Sequence, residues 1–358
     1  MIHTIALTLL NGLSRAAATQ LYLRYGSARE VYDNRQEIEG RARTALTDWS
    51  EALRRAETEL DFCQRHNVRP IELNAPEYPA RLRECPDAPL VLFSRGNADL
   101  NAQRIISVVG TRKISEYGKE LCQKIITDLS KIIPETLIVS GLAYGVDIHI
   151  HRACIETGLP TIGVLAHGLD RIYPAMHRDT AKRMIEQGGL LTEYITTTVP
   201  DKGNFVRRNR IVAGMSDATV VIESAKKGGA LITARLALDY NRDVFAFPGR
   251  VGDRYSEGCN ALIRSNGAAL ATSAQDIVEA LGWQTTNEKT KPIQRELFPN
   301  LTEEQQTLCN ALQNSDGRGL NELAITLNMP VQQISATLFD LEMTGVVKQM
   351  AGGRYKLL

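Results

Sequence analysis

Between residues 104 and 249, six short runs of apolar and β-branched residues alternate with stretches of helical pattern. They are RIISVVG (104–110), TLIVSG (136–141), TIGVL (161–165), GLLTEY (189–194), ATVVIES (218–224) and DVFAFPG (243–249). Strands separated by helix-length segments pair in parallel, because a tight hairpin cannot join parallel neighbours. The runs are continuously apolar rather than alternating, as expected of strands covered by helices on both faces. The expected fold class is therefore α/β, a doubly wound, Rossmann-like parallel sheet. Ligands of such sheets sit in the crevice at the carboxyl ends of the strands, and several of these runs end there in Gly or Ser.

The chain has 358 residues, enough for two or three domains with a substantial core. With 43% hydrophobic and 23% charged residues and a net charge of +1, it is neither a disordered, collagenous nor coiled-coil sequence. No apolar run is long enough to span a bilayer, and the N-terminus lacks a basic region ahead of its short apolar stretch. A cytoplasmic protein with no membrane association is expected. The cysteines, Cys63, Cys85, Cys122, Cys154, Cys259 and Cys309, are scattered without CxxC pairs or a Cys/His cluster, so reduced thiols are expected and neither a metal nor a cofactor. A nearly neutral chain can hold a polyanion only if its cations are focused into a patch.

Residues 1–65 show helical periodicity (Ala6, Leu9, Leu10, Leu13, then Ala17, Leu21, Tyr25) and read as a small helical domain. Pro76, Pro79, Pro86 and Pro89 make the following stretch an extended connector to a first strand or sheet edge of the central domain, 66–283. A polar, Pro-bearing segment, 284–300, reads as a linker. Beyond it, in residues 301–358, Thr302 with Gln305 forms a capping box for a helix through about Gln313, and a second helix is expected over 319–328. Pro330 opens a third, with Val331, Ile334, Leu338 and Leu341 on one face, before a hairpin around Gly352 and Gly353. Three helices and a hairpin make a winged helix.

The first strand run leads into Gly110, Thr111 and Arg112 before a helix beginning near Tyr117. Free backbone N–H groups, a hydroxyl and a guanidinium fork there suit a phosphate; the alternative is an ordinary turn with a solvated Arg. In SGLAYGVDIHIHR (140–152), Asp147 and His151 lie on one helical face, either as a catalytic dyad or, the preferred reading, as a helix cap paired with its neighbour. The densest cationic cluster holds Lys202, Phe205, Arg207, Arg208 and Arg210. Cations interleaved with an aromatic suit single-stranded nucleic acid; the alternative pairs Arg208 and Arg210 with acids such as Glu193 or Glu223 and buries Phe205. Gly228 and Gly229, beside Lys226 and Lys227, form a second Gly-rich turn at a helix start. Two such turns converging with a basic cluster suggest an extended phosphate chain rather than one mononucleotide.

The ordered motifs VVGTRKISEYG, SGLAYGVDIHIHRA, VLAHGLDRIYP, FVRRNRIVAG, KGGALITARLAL, VFAFPG and GCNALIRSNGAAL resemble the DNA-processing protein family called DprA or Smf, almost continuously over residues 70–280. The resemblance implies an extended Rossmann domain, an N-terminal helix-hairpin-helix or SAM-like domain in which Ser14 replaces the usual Gly, and the winged helix found in many members. It implies a non-enzymatic protein that binds and protects incoming single-stranded DNA in natural transformation, loads RecA, works as a homodimer through the Rossmann domain, and meets single-strand-binding protein. Gly110, Thr111 and Arg112 match the family's phosphate turn. Lys202 and Phe205 match its Lys and base-contacting aromatic ahead of the Arg-Asn-Arg motif, here Arg208, Asn209 and Arg210. Gly228 and Gly229 depart, as Gly-Gly-Ala, from the usual Ser-Gly-Ser, and Arg242 stands where a basic residue is common.

Two other readings compete. Nucleotide-binding Rossmann enzymes of the lysine-decarboxylase-like, N-glycosidase class carry a PGGxGTxxE motif that KGGALITAR does not match. A winged-helix regulator would need a cationic recognition helix, whereas PVQQISATLFDLEM has no Lys or Arg and carries Asp340 and Glu342.

Overall fold

The computed structural model describes residues 1–40, 42–283, 301–313, 315, 317–350 and 354–357; the expected linker and the hairpin glycines Gly352 and Gly353 lie outside them. The chain forms two compact units, Met1–Asn287 and Glu288–Leu358.

The first unit opens with four helices, α1 (Ile2–Leu9), α2 (Arg15–Tyr25), α3 (Ala28–Asp33) and α4 (Ser50–Arg65). Ser14, in place of the resembling family's Gly, caps α2 by accepting a hydrogen bond from the Ala17 N–H. Strand β1 (Arg69–Glu72), the short helix α5 (Ala80–Arg83) and β2 (Val91–Gly96) follow as the Pro-rich connector. Each of the six apolar runs then supplies a strand: β3 (Ile105–Val109), β4 (Leu137–Ser140), β5 (Thr161–Val164), β6 (Gly189–Thr192), β7 (Ala218–Val221) and β8 (Asp243–Ala246). Between them lie α6 (Glu116–Ile132), α7 (Val146–Thr157), α8 (Arg178–Gln187), α9 (Lys202–Gly214) and α10 (Gly229–Asp239). Helix α11 (Glu257–Arg264), β9 (Ala269–Leu270) and α12 (Ala274–Ala280) complete the unit.

The sheet runs β1-β2-β6-β5-β4-β3-β7-β8-β9. Strands from β6 to β9 pair in parallel, while β1 and β2 extend the edge antiparallel. Alternate residues of one strand enter different cores: Ile106 and Val108 pack with α6, α7 and α12, and Ile105 and Val109 with the apolar faces of α9 and α10. The second core is continuous with that of α1–α4, through Leu7, Tyr22, Trp49, Leu92 and Phe93. Buried Glu59 of α4 accepts a 2.9 Å hydrogen bond from the Thr196 N–H, tying the helices to the loop after β6. Chain order reverses between β3 and β7, which places the topological switch point beside Gly110.

The second unit holds α13 (Glu303–Leu312), β10 (Arg318–Gly319), α14 (Leu320–Leu327), α15 (Val331–Met343), β11 (Val347–Met350) and β12 (Arg354–Leu357). The Thr302–Gln305 capping box is present in both directions. Ile334, Leu338 and Leu341 are buried as expected, but Val331 is exposed. The sheet gains β10, a two-residue strand too short to leave a pattern in sequence.

Candidate nucleic-acid interface

The loops after β3, β4 and β7 and one face of α9 enclose a cleft of about 740 Å³ at the carboxyl edge of the sheet. Helix α9 begins where the Asp201 carboxylate accepts hydrogen bonds from the Gly203 and Asn204 N–H groups. From that start, Lys202, Phe205 and Asn209 fall on one side of the helix, three and four residues apart, and all line the cleft. The Arg112 guanidinium lies over the Phe205 ring at 4.8 Å from its centroid, and the Tyr173 ring stands 5.9 Å from Phe205. Phe205 is half-buried and belongs to neither core, so it is a wall of the cleft rather than filling of the fold. Phe205→Ala is therefore expected to weaken single-strand binding by about 1–3 kcal/mol. Its thermal melt should fall far less than for a core Phe, which would cost about 3–5 kcal/mol of stability.

Gly110 is required by space, not by an unusual φ: a Cβ there would run into the Val146 side chain and lie 3.1 Å from the Glu223 carbonyl. Most of the turn's backbone N–H groups are already used. Thr111 donates to the Glu223 carbonyl at 2.7 Å, Lys113 to the Thr111 hydroxyl at 3.1 Å and Ser115 to the Glu223 carboxylate at 3.0 Å. The carboxylate of Glu223 thus occupies the start of α6, where a phosphate nest was expected. What the turn still offers an anion is Arg112. The start of α10 differs, because Gly228 provides no side-chain cap and Gly229 faces open space. A Cβ on Gly228 would strike the Ser224 hydroxyl.

The buried acid in the cleft is Asp147, at the first turn of α7, where its carboxylate accepts from the Ala143 N–H at 3.3 Å. Burial raises its pKa, opposed by the Arg208 guanidinium, and burial likewise lowers that of Arg208. Both side chains reach over Gly141, where no Cβ would fit between them. His151 is not the partner of Asp147: it faces the Thr161 hydroxyl at 2.8 Å and the Gly141 carbonyl.

Of the residues singled out in sequence, Gly110, Thr111, Arg112, Lys202, Phe205, Arg208, Lys227, Gly228 and Gly229 come together in the cleft. Arg208 is buried and donates to the Val164 carbonyl at 2.7 Å, so its charge is committed to the fold. Arg207 and Lys226 are exposed but do not line the cleft. Arg242 immediately precedes β8, at the opposite end of the strands, and bonds the Arg81 carbonyl at 2.9 Å and Glu84 at 3.3 Å. Tyr173 and Thr233 line the cleft without having been singled out; the tyrosine's signal was its place in the motif VLAHGLDRIYP. Among the described residues no cluster of metal-ligating side chains occurs, and no helix is long and apolar enough to cross a membrane.

Residues 69–282 match the family model described as DNA recombination-mediator protein A, and residues 294–353 the DprA winged helix domain. The chain is 33% identical over 329 residues to Protein Smf of Synechocystis, covering 83% of this chain and 82% of that one. It is 40% identical over 201 residues to DNA processing protein DprA of Streptococcus pneumoniae, covering 56% and 70%. The solved structure of the pneumococcal DprA superposes with a TM-score of 0.66 at 31% identity, over 78% of this chain and 97% of that one. DNA processing protein A of Helicobacter pylori, studied for its single-stranded DNA binding mode, gives 0.54 at 28%, over 60% and 95%. The fold agrees with these matches, and the chain belongs to the DNA recombination-mediator protein A family.

Proposed function

We propose that this protein binds single-stranded DNA along the cleft with little sequence preference, protects it and delivers it to recombination as a binder rather than an enzyme. The observation that carries this is the Arg112–Phe205 stack in a cleft whose rim holds the exposed Lys202 and Lys227. Cations follow a phosphate chain while aromatic rings accept any base, which gives affinity without reading base edges. Arg207 belongs to the proposed site as a member of the basic cluster and Lys226 as a neighbour of the second Gly-rich turn, Arg242 on the family resemblance alone; Arg242 is its weakest member, being bonded at the far end of the strands. The resemblance likewise supports loading of RecA, contact with single-strand-binding protein, a homodimer, a role in natural transformation and a cytoplasmic location. The rival N-glycosidase reading needs the paired Gly-Thr and the acidic residue of PGGxGTxxE, where the chain has Leu231, Ile232 and Arg235.

The test is salt-dependent binding to single-stranded and double-stranded DNA of equal length. Arg112→Ala and Lys202→Ala are each expected to weaken single-strand binding and to reduce the slope of log K against log salt by about one unit or less. Two variants that bind like the parent would place the site elsewhere.

The winged helix is read as a protein-contact or assembly element. Its α15 turns Phe339 and Met343 outward and carries no cation. Deleting residues 287–358, which leaves the first unit with its own core, is expected to keep single-strand affinity within a few-fold. A hundredfold loss, about 2.7 kcal/mol, would make the winged helix a second DNA site.

A further inference from the structure

Phe, Tyr and Trp side chains of the first unit are buried or half-buried with three exceptions: Tyr117, Tyr144 and Tyr173, which are 46%, 45% and 46% exposed. All three sit on the carboxyl edge of the parallel sheet. Tyr117 is in the first turn of α6, after β3; Tyr144 is in the loop after β4; Tyr173 is in the loop after β5. Only Tyr173 lines the cleft.

None of the three rings hangs free. The Tyr117 hydroxyl donates to the Pro248 carbonyl, in the loop after β8, at 3.0 Å. Tyr144 stands edge-on to the His177 ring at 5.2 Å, and Tyr173 leans on Phe205. A large ring held at its edge while nearly half its surface meets water retains the cost of exposed apolar area. It is also already ordered for a planar partner, so little side-chain entropy remains to be lost on contact.

Around Tyr117 a second groove opens, lined also by Arg250, Arg254 and Tyr255 and by the carboxylates of Glu223 and Asp253, and separated from the cleft by the β7–α10 turn. The Ser224 N–H at the base of that turn donates to the Tyr255 carbonyl at 2.7 Å, so the two grooves share a wall. Both guanidinium-bearing residues in that groove are exposed, and among the described residues neither forms an ion pair.

We propose that Tyr117 and Tyr144 are base-stacking platforms flanking the cleft, so that a single strand runs along the carboxyl edge of the sheet from the Tyr117 groove, past Arg112 and Phe205, to Tyr173 and Tyr144. This rests on the cleft being the single-strand site and extends it on both sides. A polyanion alone would explain the arginines but not three anchored, outward-facing rings on one edge. Bases that stack without being read explain both.

The experiment measures binding of the full-length protein to a short oligothymidylate that fills only the cleft and to a longer one, together with 2-aminopurine fluorescence along the longer strand. Tyr117→Ala and Tyr144→Ala are each expected to weaken binding of the long strand roughly 5- to 150-fold, the range for one lost stack. Short-strand affinity should stay unchanged. The Phe variants should bind like the parent, and the quenching of 2-aminopurine should be lost at one position per Ala variant. Unchanged long-strand binding and quenching in both Ala variants, with Arg112→Ala still defective, would overturn the platforms and leave the cleft standing. If Arg112→Ala also bound normally, the underlying reading would fail with them. An equal loss in the Phe variants would assign the hydroxyl anchor, not the ring, and also defeat the proposal.

Discussion

Glu193→Ala is expected to destabilise the protein by about 3–5 kcal/mol, the cost of leaving one member of a buried ion pair without its partner. Its carboxylate meets the Arg210 guanidinium at 2.6 Å, and the two side chains are 6% and 9% exposed. The pair joins the loop after β6 to α9, and Arg15 at the start of α2 adds a longer contact at 3.6 Å. Asp87, 3.9 Å from Arg210, is half-exposed and can replace little of what is lost. Arg210→Ala should cost about as much, and the double variant distinctly less than the two together, because neither charge is then stranded. Chemical denaturation measures all three. A loss below about 1 kcal/mol for both single variants would mean that water enters and solvates the remaining charge.

The same pair decides how the basic cluster divides. Arg210 and Arg208 are buried and bonded within the fold, so at a temperature where Glu193→Ala is folded its single-strand affinity should match the parent's. Arg112, Lys202 and Lys227 keep their charge at the cleft, and the proposed DNA contacts fall to them.

Much of this was legible in sequence because the signals are local. Six apolar runs of the right length and spacing place six strands, and Thr302 with Gln305 marks the start of α13. The cluster 202–210 was also visible as two competing possibilities, and the structure distributes it between them: Arg210 pairs with Glu193, while Phe205 lines the cleft. What sequence could not give is which groups from distant strands meet. Sequence offers Glu223 as a partner for the arginines; it fills the start of α6 instead, because β7 is the neighbour of β3 and its end lies against that helix. Helical spacing pairs His151 with Asp147, yet the sheet sets its ring against Thr161 and Gly141. Arg242 enters on the resemblance alone, and strand direction puts it at the other end of β8 from the cleft. Solvent exposure of Tyr117 and Tyr144 has no one-dimensional signature, since a tyrosine in a strand-end loop is as readily packed as exposed.

The environment of His151 predicts an acid limit. Burial lowers its pKa from the usual 6.5 to about 4, and the nearby Arg208 and His177 push the same way, against the Gly141 carbonyl. Burial also lowers the pKa of His167 and His177. A group whose folded pKa is depressed leaves the unfolded chain holding more protons between the two values, so stability rises with pH there. The contribution is complete above pH 6.5 and is lost as pH falls toward 4, about 3 kcal/mol for His151 alone. Asp147 acts in the opposite sense, because its raised pKa lets the folded state take up a proton first, which offsets part of the loss at the acid end. Thermal melts at pH 7 and pH 4.5 are expected to differ by several degrees in the parent, and by clearly less in His151→Gln, whose amide can still donate to the Gly141 carbonyl without titrating. A parent melt independent of pH, or a variant with the parent's slope, would remove His151 as the cause.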